Sequence, residues 1–283
     1  MKCFYHRADL DGHCSGAVVK MAFPQCELIG INYGDDFPWE SIGYTETVYM
    51  VDFSLQPFTD MVKLFGACDL IWIDHHLSAI RECEKEEIDD AIKGLRRDGI
   101  GACRLVWDYL KEEFELLNGG KTPTFIKLLS EYDVWNHSDP RTLSFQYGMR
   151  QYDTFPENQS FWTEFFDTER VQQVVEEGGL LLRYENVQNK KYADSCSFET
   201  ELDGLKCIAI NKMLTSSKLF DSVWDKTKHD AMLTFGFRHG SWTVSLYSDK
   251  PDIDVSIIAK NRGGGGHKGA SGFQCKELPF RLS

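Results

Sequence analysis

Short apolar runs at residues 3–6, 27–32, 47–53 and 70–74 alternate with helical patterns at 12–23 and 57–65, and this rhythm constrains the fold more than any other feature. Runs of that length cannot form buried helices and read as strands. This βαβ rhythm is the signature of a mostly parallel sheet. Such open sheets gather ligands outside the carboxyl ends of their strands. That is where His6, Asp52 and Asp74-His75-His76 fall.

Beyond this block, helices are expected at 102–117 and 124–132, the second delivering Asp133 at its end. The charge-dense stretch 82–98 reads as a solvated helical face. The aromatic segment 147–166 reads as loops packed on the first domain, and a helix over 168–191 leads out of it. From residue 195 the pattern changes to strands at 205–210, 231–237 and 242–247 around a helix near 217–224, followed by the run Gly263-Gly264-Gly265-Gly266-His267-Lys268. The expected architecture is α/β in two domains, residues 1–185 and 195–283, joined by a helix and without internal repeats.

The chain is long enough, at 283 residues, and apolar enough, at 42%, to bury substantial cores. No run reaches the ~18 apolar residues of a membrane span, and the start turns polar too early for a signal peptide. Nine cysteines without a Cys-x-x-Cys pair fit free thiols in a reducing compartment, so a cytoplasmic location and no membrane partner are expected. The net charge of −13 argues against a long nucleic-acid track. The charge is uneven: residues 194–283 carry 12 basic and 11 acidic side chains, whereas residues 1–193 carry 19 and 33. An acidic first domain suits divalent cations; a neutral second one suits a small anion.

Asp9, Asp11, Asp52 and Asp133, with His6 and His75, offer four carboxylates and two imidazoles. That mixed oxygen and nitrogen set suits two manganese ions, with magnesium as a substitute. Two ions at the ~3.5–4 Å spacing of dinuclear sites need a bridging carboxylate. Asp52, alone between the other motifs, is the expected bridge. Each residue alone is as well explained by a cap or by packing; together and in this order they point to a metal centre. The glycine run lets main-chain N–H groups converge on a phosphate, with Arg262, His267 and Lys268 adding charge and donors. Ser15, one turn after Asp11, is a further candidate for a ligand contact. His13 and Cys14 are expected to have no chemical role, and Trp72 and Trp135 to pack beside the motifs.

His6-Arg7-Ala8-Asp9-Leu10-Asp11-Gly12, Asp52, Asp74-His75-His76 and Asp133 resemble the four motifs of the DHH superfamily of phosphoesterases. Gly263-Gly264-Gly265-Gly266-His267 is similar to the signature of the DHH-associated C-terminal domain found in its oligoribonuclease and RecJ-like branch. The resemblance implies two α/β domains facing a cleft. It gives His6, Asp9 and Asp52 to one metal, and Asp11, Asp52, His75 and Asp133 to the other. It sets His76 toward the scissile phosphate and Asp74 behind it as an orienting group. Two departures stand out. Only Arg7 and Ala8 separate His6 from Asp9, where many members have three residues, and Tyr247 stands where many carry arginine.

The function expected from this resemblance is manganese-dependent hydrolysis of short oligoribonucleotides or linear dinucleotides to mononucleotides, with the substrate as partner and a homodimer left open. Hydrolysis of 3′-phosphoadenosine 5′-phosphate or of cyclic dinucleotides would use the same centre. A single-strand DNA exonuclease fits the acidity less well, and a non-catalytic nucleotide-binding module would be expected to lack ligands that this chain retains.

Overall fold

The computed structural model describes residues 1–113 and 121–282, and the chain divides into two compact units, Met1–Leu182 and Arg183–Ser283. In the first unit β1 (Lys2–His6), α1 (Leu10–Ala22), β2 (Glu27–Ile31), β3 (Thr47–Val51), α2 (Thr59–Ala67), β4 (Asp69–Ile73) and α3 (Leu77–Lys85) follow one another. The four strands are parallel, in the order β2-β1-β3-β4. The chain therefore leaves β1 for one side through β2 and returns to the other through β3, making β1 and β3 the place where the strand order reverses. A crevice at such a point is the usual ligand position of open α/β sheets.

Period-two alternation divides the side chains between two cores. Cys3, Tyr5, Tyr49, Val51, Ile71 and Ile73 pack on one face with α1 and with α4 (Ala102–Glu113), α5 (Thr124–Asp133), α6 (Thr142–Met149) and α7 (Gln159–Glu164). Phe4, Val48, Met50, Leu70 and Trp72 pack on the other with α2 and α3. Both faces of the sheet are thus covered, which is why the middle residues of its strands are apolar. The helix expected over 102–117 is described as far as Glu113; its end lies outside the described residues. The loops expected at 147–166 contain the end of α6 and all of α7.

The reading of 82–98 as a helical face fails after Lys85. The chain beyond it runs beside β4 instead, with parallel bridges Ile71↔Lys93 and Asp74↔Arg96. Buried Ile92 and the Arg96 guanidinium, which reaches Asp89 at 2.6 Å and the Trp72 carbonyl at 3.0 Å, hold that extended course. Tertiary pairing has overridden a helical charge pattern.

The helix α8 (Thr168–Cys196) contributes residues to both units. The second unit contains β5 (Phe198–Leu202), β6 (Leu205–Asn211), β7 (Ala231–Arg238), β8 (Ser241–Tyr247), α9 (Val255–Lys260), β9 (Gly265–His267) and β10 (Ala270–Cys275). Its mixed sheet runs β5-β6-β7-β8-β10-β9, with only β6 and β7 parallel. The helix expected near 217–224 is a single 3₁₀ turn, Ser217–Phe220, which buries Leu219 and Phe220. No helix among the described residues is long and apolar enough to cross a membrane.

Candidate metal centre

The carboxyl edge of the first sheet collects the titratable residues. His6 ends β1, Asp52 follows β3, and Asp74-His75-His76 follows β4. Asp9 is the N-cap of α1, accepting from the Gly12 amide at 2.9 Å, while its other oxygen lies 2.9 Å from His6 Nδ1. The turn needs glycine at position 12, since a Cβ there would stand 2.0 Å from the His6 carbonyl. Asp11 is held at the N-terminus of α4, where both its oxygens accept main-chain bonds, from Ala102 at 2.5 Å and Cys103 at 3.0 Å. Asp133 is the last residue of α5.

Asp52 sits among these residues at φ +56°, a left-handed conformation that costs a non-glycine residue and recurs at functional sites. Its Oδ1 lies 3.2 Å from His75 Nε2 and its Oδ2 3.7 Å from His6 Nδ1. His75 Nε2 is also 3.1 Å from Asp133 and 3.9 Å from Asp11. Potential donor atoms thus fall into two groups, His6-Asp9-Asp52 and Asp11-His75-Asp133, with a third formed by Asp52, Asp74, His75 and His76. All six residues expected as ligands are brought together.

The chemistry of this set fits metal ions. Both Asp52 oxygens and Oδ2 of Asp74 are buried without a directed hydrogen bond from the described residues, a costly condition for a carboxylate unless a cation satisfies it. Burial and the neighbouring carboxylates Asp9 and Asp133 push Asp52 up to about 6, and burial with Asp52 and Asp133 raises Asp11 as well. Burial alone would lower the histidines, yet Asp52 and Asp9 raise His6 to about 10, and Asp133 and Asp52 raise His75 to about 12. The site concentrates negative charge that its own protons only partly balance. Carboxylates and imidazoles in these groups could hold metal ions.

Oδ1 of Asp74 accepts from the main-chain amides of His75 and His76 at 2.7 and 3.1 Å and lies 2.7 Å from His76 Nδ1. It fixes the orientation of both neighbours. Ser15 is fully buried, and its hydroxyl has no hydrogen-bond partner among the described residues. His13, expected to have no chemical role, has a structural one. Its Nε2–H donates to the Arg7 carbonyl at 3.0 Å and its Nδ1 accepts from the Thr154 hydroxyl at 2.9 Å, pinning the turn between His6 and Asp9. Burial lowers its pKa, in keeping with that neutral tautomer.

One aromatic residue differs from the sequence reading. Trp72 is in the core as expected, its Nε1–H donating to the Phe53 carbonyl at 3.0 Å. Trp135, expected to pack like it, is 55% exposed, because the left-handed turn after α5 (φ +54°) swings it outward. Tyr33 escapes sequence reasoning altogether. Its ring stands 4.6 Å from Phe53 and 5.7 Å from His6, centroid to centroid. Its position just beyond β2, on the edge shared with the other motifs, is the signal that could have found it.

The glycine run of the second unit is engaged more than its composition suggests. The Gly263 and Gly264 amides close the end of α9, donating to the Lys260 and Ala259 carbonyls at 3.0 and 2.9 Å. The Gly264 amide is therefore occupied. Gly265, Gly266 and His267 form β9 and are exposed. Arg262 pairs bidentately with Asp203 at 2.6 and 2.7 Å, and the Lys268 ammonium donates to the Pro251 carbonyl at 2.7 Å. Tyr247 donates its hydroxyl to the Thr215 carbonyl at 3.2 Å.

No family model matches the chain. A curated relative, an uncharacterized protein (R106) of Acanthamoeba polyphaga mimivirus, is 26% identical over 242 residues, 81% of this chain and 53% of its own length. The chain thus spans about half of that relative. Among solved structures, an exopolyphosphatase-related protein from Bacteroides fragilis superposes with a TM-score of 0.57 at 13% identity, over 98% of this chain and 87% of that one. A pGpG-specific phosphodiesterase, PggH, from Vibrio cholerae superposes with a TM-score of 0.54 at 12% identity, over 96% and 92%. These likenesses establish the fold: α/β, with a parallel four-stranded sheet and a second, mixed sheet.

Proposed function

We propose that this chain is a metal-dependent phosphoesterase of the DHH type that hydrolyses short linear substrates, dinucleotides and very short oligoribonucleotides, to mononucleotides. One observation carries the reading: Asp52 lies between two donor groups, within 3.2 Å of His75 on one side and 3.7 Å of His6 on the other. The fold shared with a dinucleotide phosphodiesterase supports the substrate class. His6, Asp9 and Asp52 would hold one cation and Asp11, Asp52, His75 and Asp133 the other, manganese suiting the mixed donors best. When bound, such a pair supplies water activation at neutral pH and neutralises charge on a phosphoryl group.

The chain's own residues would do the rest. With Nδ1 of His76 taken by Asp74, Nε2 is the atom that would meet the phosphate, donating to one of its oxygens. The Asp74 carboxylate keeps that ring in one orientation. In the second unit, taken by itself, the exposed Gly265, Gly266 and His267 would be the residues to meet a phosphate; Arg262 is paired with Asp203.

The test is a manganese-supplemented assay of a linear dinucleotide, a longer oligomer, a cyclic dinucleotide, a 3′,5′-bisphosphorylated nucleoside and inorganic tripolyphosphate side by side. The linear dinucleotide should turn over fastest. Failure to cleave any of them overturns the assignment, and preference for another replaces the substrate class.

A further inference from the structure

Helix α5 ends in a Schellman motif. The Asn136 amide donates to the Glu131 carbonyl at 2.8 Å and the Trp135 amide to the Tyr132 carbonyl at 3.0 Å, with Trp135 at the left-handed position. Glycine is the usual occupant there, because it alone adopts that conformation without strain. This chain places its largest side chain type at that position and leaves it 55% exposed. Neither helix termination nor core packing accounts for a tryptophan here.

The indole is nonetheless held in place. Its ring lies 4.6 Å from His137 and 5.8 Å from Tyr132, and the Tyr132 and His137 rings stack at 16°. Arg150 donates to the Tyr132 hydroxyl at 2.9 Å. Glu131 clamps the following loop, accepting from the Ser138 hydroxyl, the Asp139 amide and the Thr142 hydroxyl at 2.8–2.9 Å. A rigid, exposed aromatic face therefore begins two residues after Asp133, which lies 3.1 Å from His75.

We infer that Trp135, braced by Tyr132 and His137, is a stacking shelf for a nucleobase of the substrate whose phosphate lies at the candidate metal centre. The inference rests on the phosphoesterase reading for the position of that phosphate. It deepens that reading by assigning what distinguishes a nucleotide from a bare phosphate chain. Stacking on an aromatic ring is tolerant of base identity, so the shelf would select for a base rather than for one base.

The variant of choice is Trp135→Gly, which removes the indole and relieves the backbone, so the fold should be retained; Trp135→Phe keeps a smaller ring. Calorimetric titrations with guanosine monophosphate, adenosine monophosphate and inorganic phosphate, manganese present, are compared with KM and kcat on a linear dinucleotide. Mononucleotide affinity should fall roughly 5- to 100-fold in Trp135→Gly, the range of one lost base stack. Trp135→Phe should fall between the two, phosphate affinity should change far less, and the loss on the dinucleotide should appear mainly in KM. Equal mononucleotide affinity in wild type and Trp135→Gly, or equal losses for nucleotide and phosphate, overturns the shelf. If the wild type binds mononucleotides through Trp135 but cleaves no dinucleotide, the shelf stands and the hydrolytic reading falls.

Discussion

Oδ1 of Asp52 and Nε2 of His75 lie 3.2 Å apart at the ends of neighbouring parallel strands. Neither carboxylate oxygen of Asp52 has a directed hydrogen bond among the described residues. In the absence of a cation its charge is balanced by His6 and His75. Asp52→Asn should therefore remove metal binding at the centre and lower the melting temperature of the metal-free protein, because it takes the acidic partner from both histidines. Activity should fall well over 100-fold, beyond the 10- to 100-fold typical of residues that only orient a ligand. Elemental analysis after metal restoration, melting of the metal-free forms and turnover check this; unimpaired turnover would sink the bridging role.

His13 pins the Arg7 carbonyl and Thr154 from within α1. His13→Ala leaves that partly buried carbonyl without its donor, at a cost of about 1 kcal/mol. Thr154→Val should weaken the same link. The double variant should lose less than the sum of the two, because both act on one hydrogen-bonded chain. Denaturant melts of the four proteins give the coupling, and strictly additive losses would show that His13 and Thr154 act separately.

Glu46 ties the start of β1 to the turn before β3. Although partial burial works against its charge, the Gly43 amide at 3.1 Å and the Lys2 ammonium at 3.0 Å hold its pKa near 2, below its ordinary value of 4.5. The folded state thus binds this proton less readily than the unfolded chain. Its stabilising contribution is complete above about pH 4.5 and is lost as the pH falls toward 2. The stability gap between wild type and Glu46→Gln should be constant above that window and close within it. A gap independent of pH would contradict the pairing.

Gly266 and Gly265 answer differently to a methyl group. At Gly266, with φ +132°, a Cβ would stand 2.6 Å from the Ala270 carbonyl and from Ser271, whereas at Gly265 it would meet nothing within 4 Å. Gly266→Ala should destabilise the second unit by about 1–3 kcal/mol, the cost of backbone strain with a steric clash. Gly265→Ala should melt like wild type, which makes it the clean probe of the proposed phosphate grip. Equal melting of both variants would refute the close approach of β9 to β10.

A chain with net charge −13 has little to hold a long polyanion. Initial velocity per end should fall from a dinucleotide to a twenty-residue oligomer at equal end concentration and modest salt. Faster digestion of the longer strand would promote the exonuclease alternative without touching the metal ligands.

How much of this is legible in advance depends on distance along the chain. The strands of the first sheet and the ends that carry His6, Asp52 and Asp74-His75-His76 follow from local apolar patterning, since a five-residue run buried on both faces has few other uses. Residues 86–98 read as helix because their charges do repeat helically, and only pairing with β4 makes an extended course better. The 3₁₀ turn at Ser217–Phe220 is overestimated for a similar reason: two buried side chains mimic a helical face. Composition likewise suggests that the whole glycine run awaits a phosphate, whereas the close approach of β9 to β10 and the end of α9 already use Gly264 and Gly266.

The sequence by itself determined the residue chemistry: four aspartates and two histidines at strand and helix ends, an acidic first part, and an α/β rhythm. These are properties of residue type and short-range order. Only the tertiary structure decided that Asp52 stands between His6 and His75, that His13 braces the Arg7 carbonyl, that Arg262 is paired with Asp203, and that Trp135 faces outward. Each of these depends on groups brought together from distant parts of the chain or on a single left-handed backbone angle, and neither leaves a periodic trace in sequence.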